Sequence, residues 1–130
     1  MIVYLWIALG GALGSVARHW LTESVSARLD TEFPWGTFLV NFSGCLLIGL
    51  FASLTGPGWR PFTTPEGRSF FMVGLCGGYT TFSAFSLQAL NLLRIGEWQR
   101  AGAYVAGSVV LCLLGVWLGH LLAVALAPAR

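Results

Sequence analysis

Four long apolar stretches separated by short polar segments dominate the pattern of hydrophobic and polar positions along the chain. They cover residues 2–20, 36–54, 69–93 and 101–127, and each approaches the roughly 20 apolar residues that a helix needs to cross a bilayer. The first stretch lacks the basic residues that open a signal peptide, so we interpret it as a helix. The pattern predicts an all-α integral membrane four-helix bundle, with residues 1–130 forming a single transmembrane domain.

Composition supports this prediction and excludes several classes of function. The chain is 56% hydrophobic and 9% charged, with a mean hydropathy of +0.76, whereas a soluble domain is about 25% charged. The net charge is +2, and the scattered arginines form no basic face that would favour nucleic acid. We find no nucleophile–base pair, phosphate loop or metal-ligand spacing and therefore predict no enzyme. The three cysteines lie in different stretches and are interpreted as small buried hydrophobes: Cys45, Cys76 and Cys112.

A polar segment, GGYTTFSAFS at residues 77–86, interrupts the third apolar stretch. Adjacent glycines at Gly77 and Gly78 loosen the backbone, and a helix break there would free carbonyl oxygens that lipid cannot satisfy. Hydroxyl groups or a bound cation would then be needed as partners. The alternative is that the glycines provide close contact with a neighbouring helix. We predict a broken third helix and keep both interpretations of the glycines open.

Aromatic and hydroxyl side chains alternate after this glycine pair. Phe82 and Phe85 share one helical face, and Ser83 and Ser86 share the adjacent face. Hydroxyls donate hydrogen bonds to anions, and the positive edge of a phenyl ring also favours negative charge. Phenylalanines in a membrane helix are usually packing residues, so the interleaved hydroxyls are what favours an ion-binding role here.

Polar residues also recur on two other stretches. Thr37 and Asn41 lie one turn apart in the second, and Tyr104, Ser108 and Cys112 follow at successive i, i+4 positions in the fourth. Together with the third stretch they could line one narrow path. Interhelical hydrogen bonding, worth about 0.6 kcal/mol per contact on average, explains any one of them equally well.

Acidic residues discriminate between permeant ions. A proton-coupled or cation-exporting protein ordinarily needs a carboxylate within a span, and we predict that all five acidic residues fall in loops: Glu23, Asp30, Glu32, Glu66 and Glu97. Hydrogen-bond donors are plentiful and Arg18 lies just inside one helix end. Plentiful donors and the absence of carboxylates from the predicted spans favour an anion over a cation as the permeant ion.

Arginines divide almost evenly between the two membrane faces of a four-span chain. One face would hold Arg60, Arg68 and Arg130, and the other Arg18, Arg28, Arg94 and Arg100. Because basic residues normally set the orientation, this balance predicts subunits that insert both ways and pair. Small-residue spacings that favour close helix packing, and an oligomer, occur at Gly10–Gly14, Gly74–Gly78 and Gly115–Gly119.

Three segments together resemble one known family. GALGSVAR (11–18), GTFLVNFSG (36–44) and GLCGGYTTFSAFS (74–86) are similar to motifs of the CrcB/Fluc family of fluoride ion channels, in the same order and over the whole chain. The resemblance implies an antiparallel, dual-topology homodimer in the bacterial inner membrane. It also implies two antiparallel pores per dimer, through which cytoplasmic fluoride leaves passively down its electrochemical gradient.

The resemblance also implies roles for particular residues. Phe82 and Phe85 would present ring edges to fluoride, and the Asn41 amide would lie beside the pathway. The remaining expected pathway residues are Ser83, Tyr104, Ser108, Thr37 and Arg18. Backbone carbonyls of Gly77 and Thr80 from both subunits would hold a structural Na⁺ at the dimer interface. Ala84 replaces a threonine that many relatives carry, so one hydroxyl of the usual track is missing.

Two other functions fit a small four-span protein. One is a small multidrug-resistance-type transporter, which would exchange protons for a cationic drug and requires a carboxylate within the membrane. The other is a non-conducting membrane scaffold, in which the polar residues only join helices. Release of fluoride from loaded vesicles without a proton gradient distinguishes the channel from both.

Overall fold

The computed structural model describes residues 1–29, 31–55 and 64–126. Its helices are α1 (Ile2–Leu29), α2 (Trp35–Leu54), α3 (Pro65–Arg68), a π-helical segment (Ser69–Cys76), α4 (Gly77–Tyr79), α5 (Phe82–Arg94) and α6 (Trp98–Leu126). The third span comprises everything from α3 to α5 and is interrupted between α4 and α5. Among the described residues, four helical spans are long and apolar enough to cross a membrane, which confirms the predicted all-α class and the interrupted third helix.

The first helix is longer than its apolar pattern predicts. It has 28 residues, about 42 Å at the usual rise, which matches a bilayer including its headgroup regions. We predicted a connector after residue 20, but the helix continues to Leu29. The start of α2 packs on this extension, because a side chain at Gly36 would lie 2.8 Å from the Thr22 carbonyl oxygen. Tertiary contact therefore keeps a polar segment helical.

Glycines bring the spans together in two parallel pairs. Gly10 of α1 contacts the third span near Gly74, and Gly14 contacts it near Gly78. The order is the same along both spans, so they run parallel. A Cβ added to Gly78 would lie 2.6 Å from the Gly11 carbonyl oxygen, which leaves no room for any side chain. The predicted small-residue contacts of these spans are confirmed.

The second parallel pair consists of α2 and α6. Gly115 packs against Phe42 and Gly119 against the Leu46 carbonyl, again in the same order. On the opposing helix, a side chain at Gly49 would lie 2.9 Å from the backbone of Val116. Together the pairs form a four-span bundle in which neighbours in sequence run antiparallel.

A tight turn joins α5 to α6. The Gly96 N–H donates to the Leu93 carbonyl at 3.1 Å, and the Glu97 N–H donates to the Leu92 carbonyl at 2.9 Å. This Schellman arrangement needs a left-handed residue, and Gly96 supplies it with φ of 83°. The turn returns the chain directly into the last span.

One prediction about the charged residues is wrong. We predicted that all acidic residues lie in loops, but Glu23 lies within the extended α1 and Glu66 in the first turn of α3. Both are close to helix ends. Some predictions fall outside the described residues. They concern Asp30, Arg60, Arg130, the glycine- and proline-rich residues 56–63 and the end of the last helix at Ala127.

Candidate ion pathway

The interruption of the third span lies at Thr80 and Thr81. Both residues are extended, with φ/ψ of −82°/157° and −150°/119°, between the helical turns of α4 and α5. The Thr81 hydroxyl accepts a hydrogen bond from the Ala84 N–H at 3.2 Å and so caps α5. We predicted the break at Gly77 and Gly78, three residues earlier, and that position is wrong. Gly78 instead serves the alternative role of close contact with α1.

Asn41 of α2 binds the break through both ends of its amide. Its Nδ2 donates to the Thr81 carbonyl at 3.0 Å, and its Oδ1 accepts from the Thr81 N–H at 2.8 Å. The amide thus replaces the helical hydrogen bond that the Thr81 N–H forgoes, and it adds a second bond to the carbonyl from which α5 begins. Because the amide nitrogen carries two hydrogens, one donor of Asn41 remains for another partner.

The four carbonyls of residues 77–80 lose their helical partners at the break, and those of Gly77 and Thr80 are two of them. In a continuous helix the Thr81 N–H would bond the Gly77 carbonyl, but here it bonds Asn41. The Ala84 N–H would bond the Thr80 carbonyl, but here it bonds the Thr81 hydroxyl. Gly77 and Thr80 both line the cavity described next. A carbonyl freed at membrane depth needs a polar partner.

A half-open cavity of about 340 Å³, the main cavity, lies beside the break. Its polar lining combines groups from all three spans around it: Asn41, Gly77, Thr80, Thr81 and Ser108. Apolar lining comes from residues that include Phe82 and Phe85, whose ring centroids are 5.3 Å apart at an angle of 42°. The main cavity therefore joins hydrogen-bond donors and aromatic rings in one space.

The two phenylalanines differ in their surroundings. Phe82 is 78% exposed at the surface of the protomer, whereas Phe85 is 8% exposed and contacts Tyr104, with centroids 5.1 Å apart. Phe85 is thus fixed from behind by a buried ring, while Phe82 faces outward from the open side of the main cavity.

Ser108 of α6 is the least satisfied polar residue of the main cavity. Its side chain is 7% exposed, and within the described part of the chain its hydroxyl is the buried side-chain polar atom that has no hydrogen-bond partner. A buried unpartnered hydroxyl costs about 1–3 kcal/mol. This cost is recovered only when a ligand or water occupies the main cavity.

Other residues predicted for the pathway lie outside the lining of the main cavity. Tyr104 is fully buried, and its hydroxyl donates to Gln88 Oε1 at 3.0 Å. Thr37 is buried, Arg18 is half-buried on α1, and the exposed Ser83 hydroxyl lies 3.2 Å from that of Thr81. The structure thus brings together six of the predicted residues around the main cavity: Asn41, Phe82, Phe85, Ser108, Gly77 and Thr80. Tyr104 and Ser83 lie directly behind or beside lining residues, whereas Thr37 and Arg18 do not line the cavity.

A smaller polar pocket lies near the C-terminal end of α5. It has a volume of about 230 Å³ and is lined by Glu32, Pro34, Gln88, Asn91, Leu92 and Ile95. Glu32 is paired there with Arg100 at 3.0 Å. The Phe85–Tyr104 contact and the Tyr104–Gln88 hydrogen bond connect the main cavity with this pocket.

Sequence reasoning missed Gln88 and Thr81. Gln88 is a polar residue one turn after Phe85 on the same helix, and Thr81 directly precedes a helix, where threonine is a common cap. Those two local signals would have identified them. The convergence of Cys45, Cys76 and Cys112 on the main cavity was also missed, since their separation in sequence gives no such signal.

The main cavity is lined by neutral polar groups and apolar side chains. Its lining has no carboxylate, and within residues 1–29, 31–55 and 64–126 no group of three or more His, Cys, Asp or Glu side chains could hold a metal. The fold and the main cavity thus define a multi-pass helical membrane protein with a neutral, donor-lined intramembrane cavity.

Comparison with known proteins gives the family. The profile of the family described as "CrcB-like protein, Camphor Resistance (CrcB)" matches residues 5–120. The chain belongs to this family, as its three motifs predicted. It is 58% identical to a protein of Methylocella silvestris named "Fluoride-specific ion channel FluC", over 95% of this chain and 94% of the relative. Proteins of the same name from Opitutus terrae and Rhodospirillum rubrum are 57% identical (97% of this chain, 96% of the relative) and 54% identical (95% of each).

Proposed function

We propose that the protein is a fluoride-selective passive anion channel. Relatives that are more than half identical over nearly the whole chain are named fluoride-specific ion channels. The observation that carries the proposal is the buried, unpartnered Ser108 hydroxyl, which lines the same carboxylate-free cavity as the Asn41 amide. Both groups donate hydrogen bonds to an anion.

Fluoride moves between groups that replace its water in stages. It is small and strongly hydrated, so it needs several donors that are close together but individually weak enough to release it. The Ser108 hydroxyl and the free Asn41 hydrogen supply donors. The edges of Phe82 and Phe85 supply positive potential between them, whereas their faces would repel an anion. Ser83, Tyr104 and Thr37 extend this track toward the ends of the membrane.

The direction of transport follows from the membrane potential and requires no pump. An inside-negative potential favours the exit of an anion by about 2.3 kcal/mol per 100 mV. In the inner membrane of a bacterium, cytoplasmic fluoride would therefore leave passively. Arg18, half-buried on α1, would raise the positive potential at one entrance.

The channel is a homodimer of oppositely inserted subunits with two antiparallel pores. The main cavity is open on one side of the protomer, where Phe82 is 78% exposed, so polar groups at membrane depth would face lipid without a second copy. A partner subunit closes this side. The near-equal division of arginines supports insertion in both orientations. A topology reporter at the C-terminus should give signal on both sides of the membrane, and a one-sided signal contradicts dual topology.

A structural Na⁺ fits the break of the third span. Of the four residues whose carbonyls lose their helical partners at the break, Gly77 and Thr80 line the main cavity, and carbonyl oxygens are suitable ligands for a hard cation. Each subunit would contribute this pair at the dimer interface. The ion would join the two broken spans and neutralise carbonyl dipoles near the pathway.

Fluoride release from vesicles tests the proposal. Purified protein in fluoride-loaded vesicles should release fluoride quickly and chloride hardly at all, without any proton gradient. A protein that folds and inserts but releases no fluoride refutes the channel. Release that requires a proton gradient would instead indicate a coupled transporter.

Two substitutions test the residues of the main cavity. Phe82→Ile should slow fluoride release because it removes a ring edge, whereas the control Phe70→Ile, at a ring that packs against Trp6, should not. Ser108→Ala should also slow release, with stability unchanged or raised, because its hydroxyl has no partner in the described chain. If both cavity variants release fluoride at the wild-type rate, these two side chains only pack and do not act on the ion.

A further inference from the structure

Three cysteine thiols from three different spans meet at the main cavity. Cys45 lies on α2, Cys76 on the π-helical segment and Cys112 on α6, and all three line the main cavity. All are free thiols. Cys45 and Cys112 are close enough to interact directly, and Cys76 is close enough to Cys45 to interact electrostatically. Packing of small hydrophobic side chains does not require such convergence.

Cys45 and Cys112 lie on α2 and α6, the two helices of the second parallel pair, which are in close contact with each other. Gly115 packs against Phe42, with the nearest ring carbon 3.3 Å from a Cβ at that glycine. Cys45 is three residues after Phe42 and Cys112 three residues before Gly115, so each lies about one turn from this contact. Because the two helices are in direct contact at this level, the two thiols have a fixed position relative to each other.

The chemistry of this pair selects one class of ligand. Hard cations such as Ca²⁺ and Mg²⁺ need oxygen ligands, and structural Zn²⁺ takes four ligands, whereas no larger group of metal-binding side chains exists in the described chain. Thiolates favour soft cations such as Cu⁺, and Ag⁺ and Hg²⁺ share that preference. The thioether of Met72 lines the same cavity and adds a further soft donor.

Charge favours Hg²⁺ within this class. Each of the two thiols releases its proton to water, and one Hg²⁺ forms a bond to each sulfur, so that two S–H bonds are replaced by two S–Hg bonds. The product carries no net charge. A neutral complex suits a largely apolar cavity, where an isolated charge is costly.

We propose that Cys45 and Cys112 form a binding site for a soft, two-coordinate metal cation, and that an ion bound there slows the passage of fluoride. The second part rests on the proposed channel function. Both thiols line the cavity that also contains Phe82 and Ser108, so a bridging metal lies directly beside the ion pathway.

Metal retention in the presence of a monothiol competitor tests the site itself. Purified protein is treated with mercuric acetate, desalted in 2-mercaptoethanol, and its mercury counted by native mass spectrometry. A bridged ion resists the competitor, since its second bond forms within the molecule. Wild type and the control Cys76→Ser should each retain one Hg²⁺ per chain. Cys45→Ser and Cys112→Ser should lose it.

Two further outcomes are decisive. Retention in Cys45→Ser or Cys112→Ser, or loss from wild type, overturns the site. Methylmercury provides a test without any substitution, because it can bond only one thiol and cannot bridge. Wild type should lose methylmercury to the competitor, and equal retention of methylmercury and Hg²⁺ contradicts a bridged pair.

Fluoride release with and without Hg²⁺ tests the second part. Hg²⁺ should slow release by wild type and leave release by Cys112→Ser at its own metal-free rate. Retained metal with unchanged wild-type release overturns the effect on passage but not the site. Absence of release in metal-free wild type bears on the proposed function alone, since metal retention is measured separately.

Discussion

Replacing Asn41 with alanine removes both hydrogen bonds that hold the interruption of the third span. The Thr81 N–H, now 2.8 Å from the amide oxygen, would lose its partner at membrane depth, and the Thr81 carbonyl, 3.0 Å from the amide nitrogen, would keep only its bond within α5. Each buried polar group left unpaired costs about 1–3 kcal/mol. Both bonds are only partly buried beside a cavity that water can enter, so we take about 1 kcal/mol for the unpaired N–H and about 1 kcal/mol for the lost bond to the carbonyl. The expected loss is about 2 kcal/mol in the free energy of unfolding, about a 30-fold change in the ratio of folded to unfolded protein.

Titration with sodium dodecyl sulfate measures this loss. Purified protein in mild detergent micelles is unfolded by rising fractions of the harsher detergent, with helicity followed by circular dichroism. Asn91→Ala is the matched control, since the Asn91 side chain is exposed and such substitutions usually change stability by less than about 0.5 kcal/mol. If Asn41→Ala and Asn91→Ala unfold at the same detergent fraction, the amide does not hold the break, and our account of the break is refuted.

The same titration checks two further substitutions. Gly78→Ala places a Cβ 2.6 Å from the Gly11 carbonyl oxygen and should destabilise by about 1–3 kcal/mol, whereas Gly102→Ala meets no atom within 4 Å and should be neutral or stabilising; equal effects would contradict the close contact of α1 with the third span. Thr81→Val removes the acceptor of the Ala84 N–H and should cost about 1 kcal/mol, while Thr81→Ser should retain the cap. A serine variant as unstable as the valine variant would show that the hydroxyl is not what caps α5.

Sequence patterns predicted the spans and their glycine contacts because both depend on local properties. Four apolar stretches give four spans whatever their arrangement, and glycines at a spacing of four lie on one face of any helix. Gly115 and Gly119 therefore contact α2 as predicted. The extension of α1 to Leu29 did not follow from its polar sequence, since it depends on packing by Gly36 at the start of another helix.

Part of the candidate pathway followed from residue type in the same way. A membrane helix that carries Asn41 or Ser108 must give these polar groups a partner or a cavity, and both line the main cavity. Tyr104 does not line the cavity, because its hydroxyl donates a hydrogen bond to the Gln88 side chain within the protein. Residue type alone does not distinguish a donor bonded within the protein from one left for an ion.

The position of the break depends on a contact that no local pattern contains. A glycine pair in a membrane helix can either loosen the backbone or allow close contact with another helix. Gly78 allows close contact with α1. The helix ends three residues after Gly77 because the Asn41 amide, 40 residues away in sequence, bonds the N–H and carbonyl of Thr81. Freeing the Gly77 carbonyl is then a consequence of that amide and not of the glycine itself. Alanine at Gly77, whose Cβ would come no closer than 3.9 Å to Met72, should therefore leave the break in place, while loss of Asn41 should not.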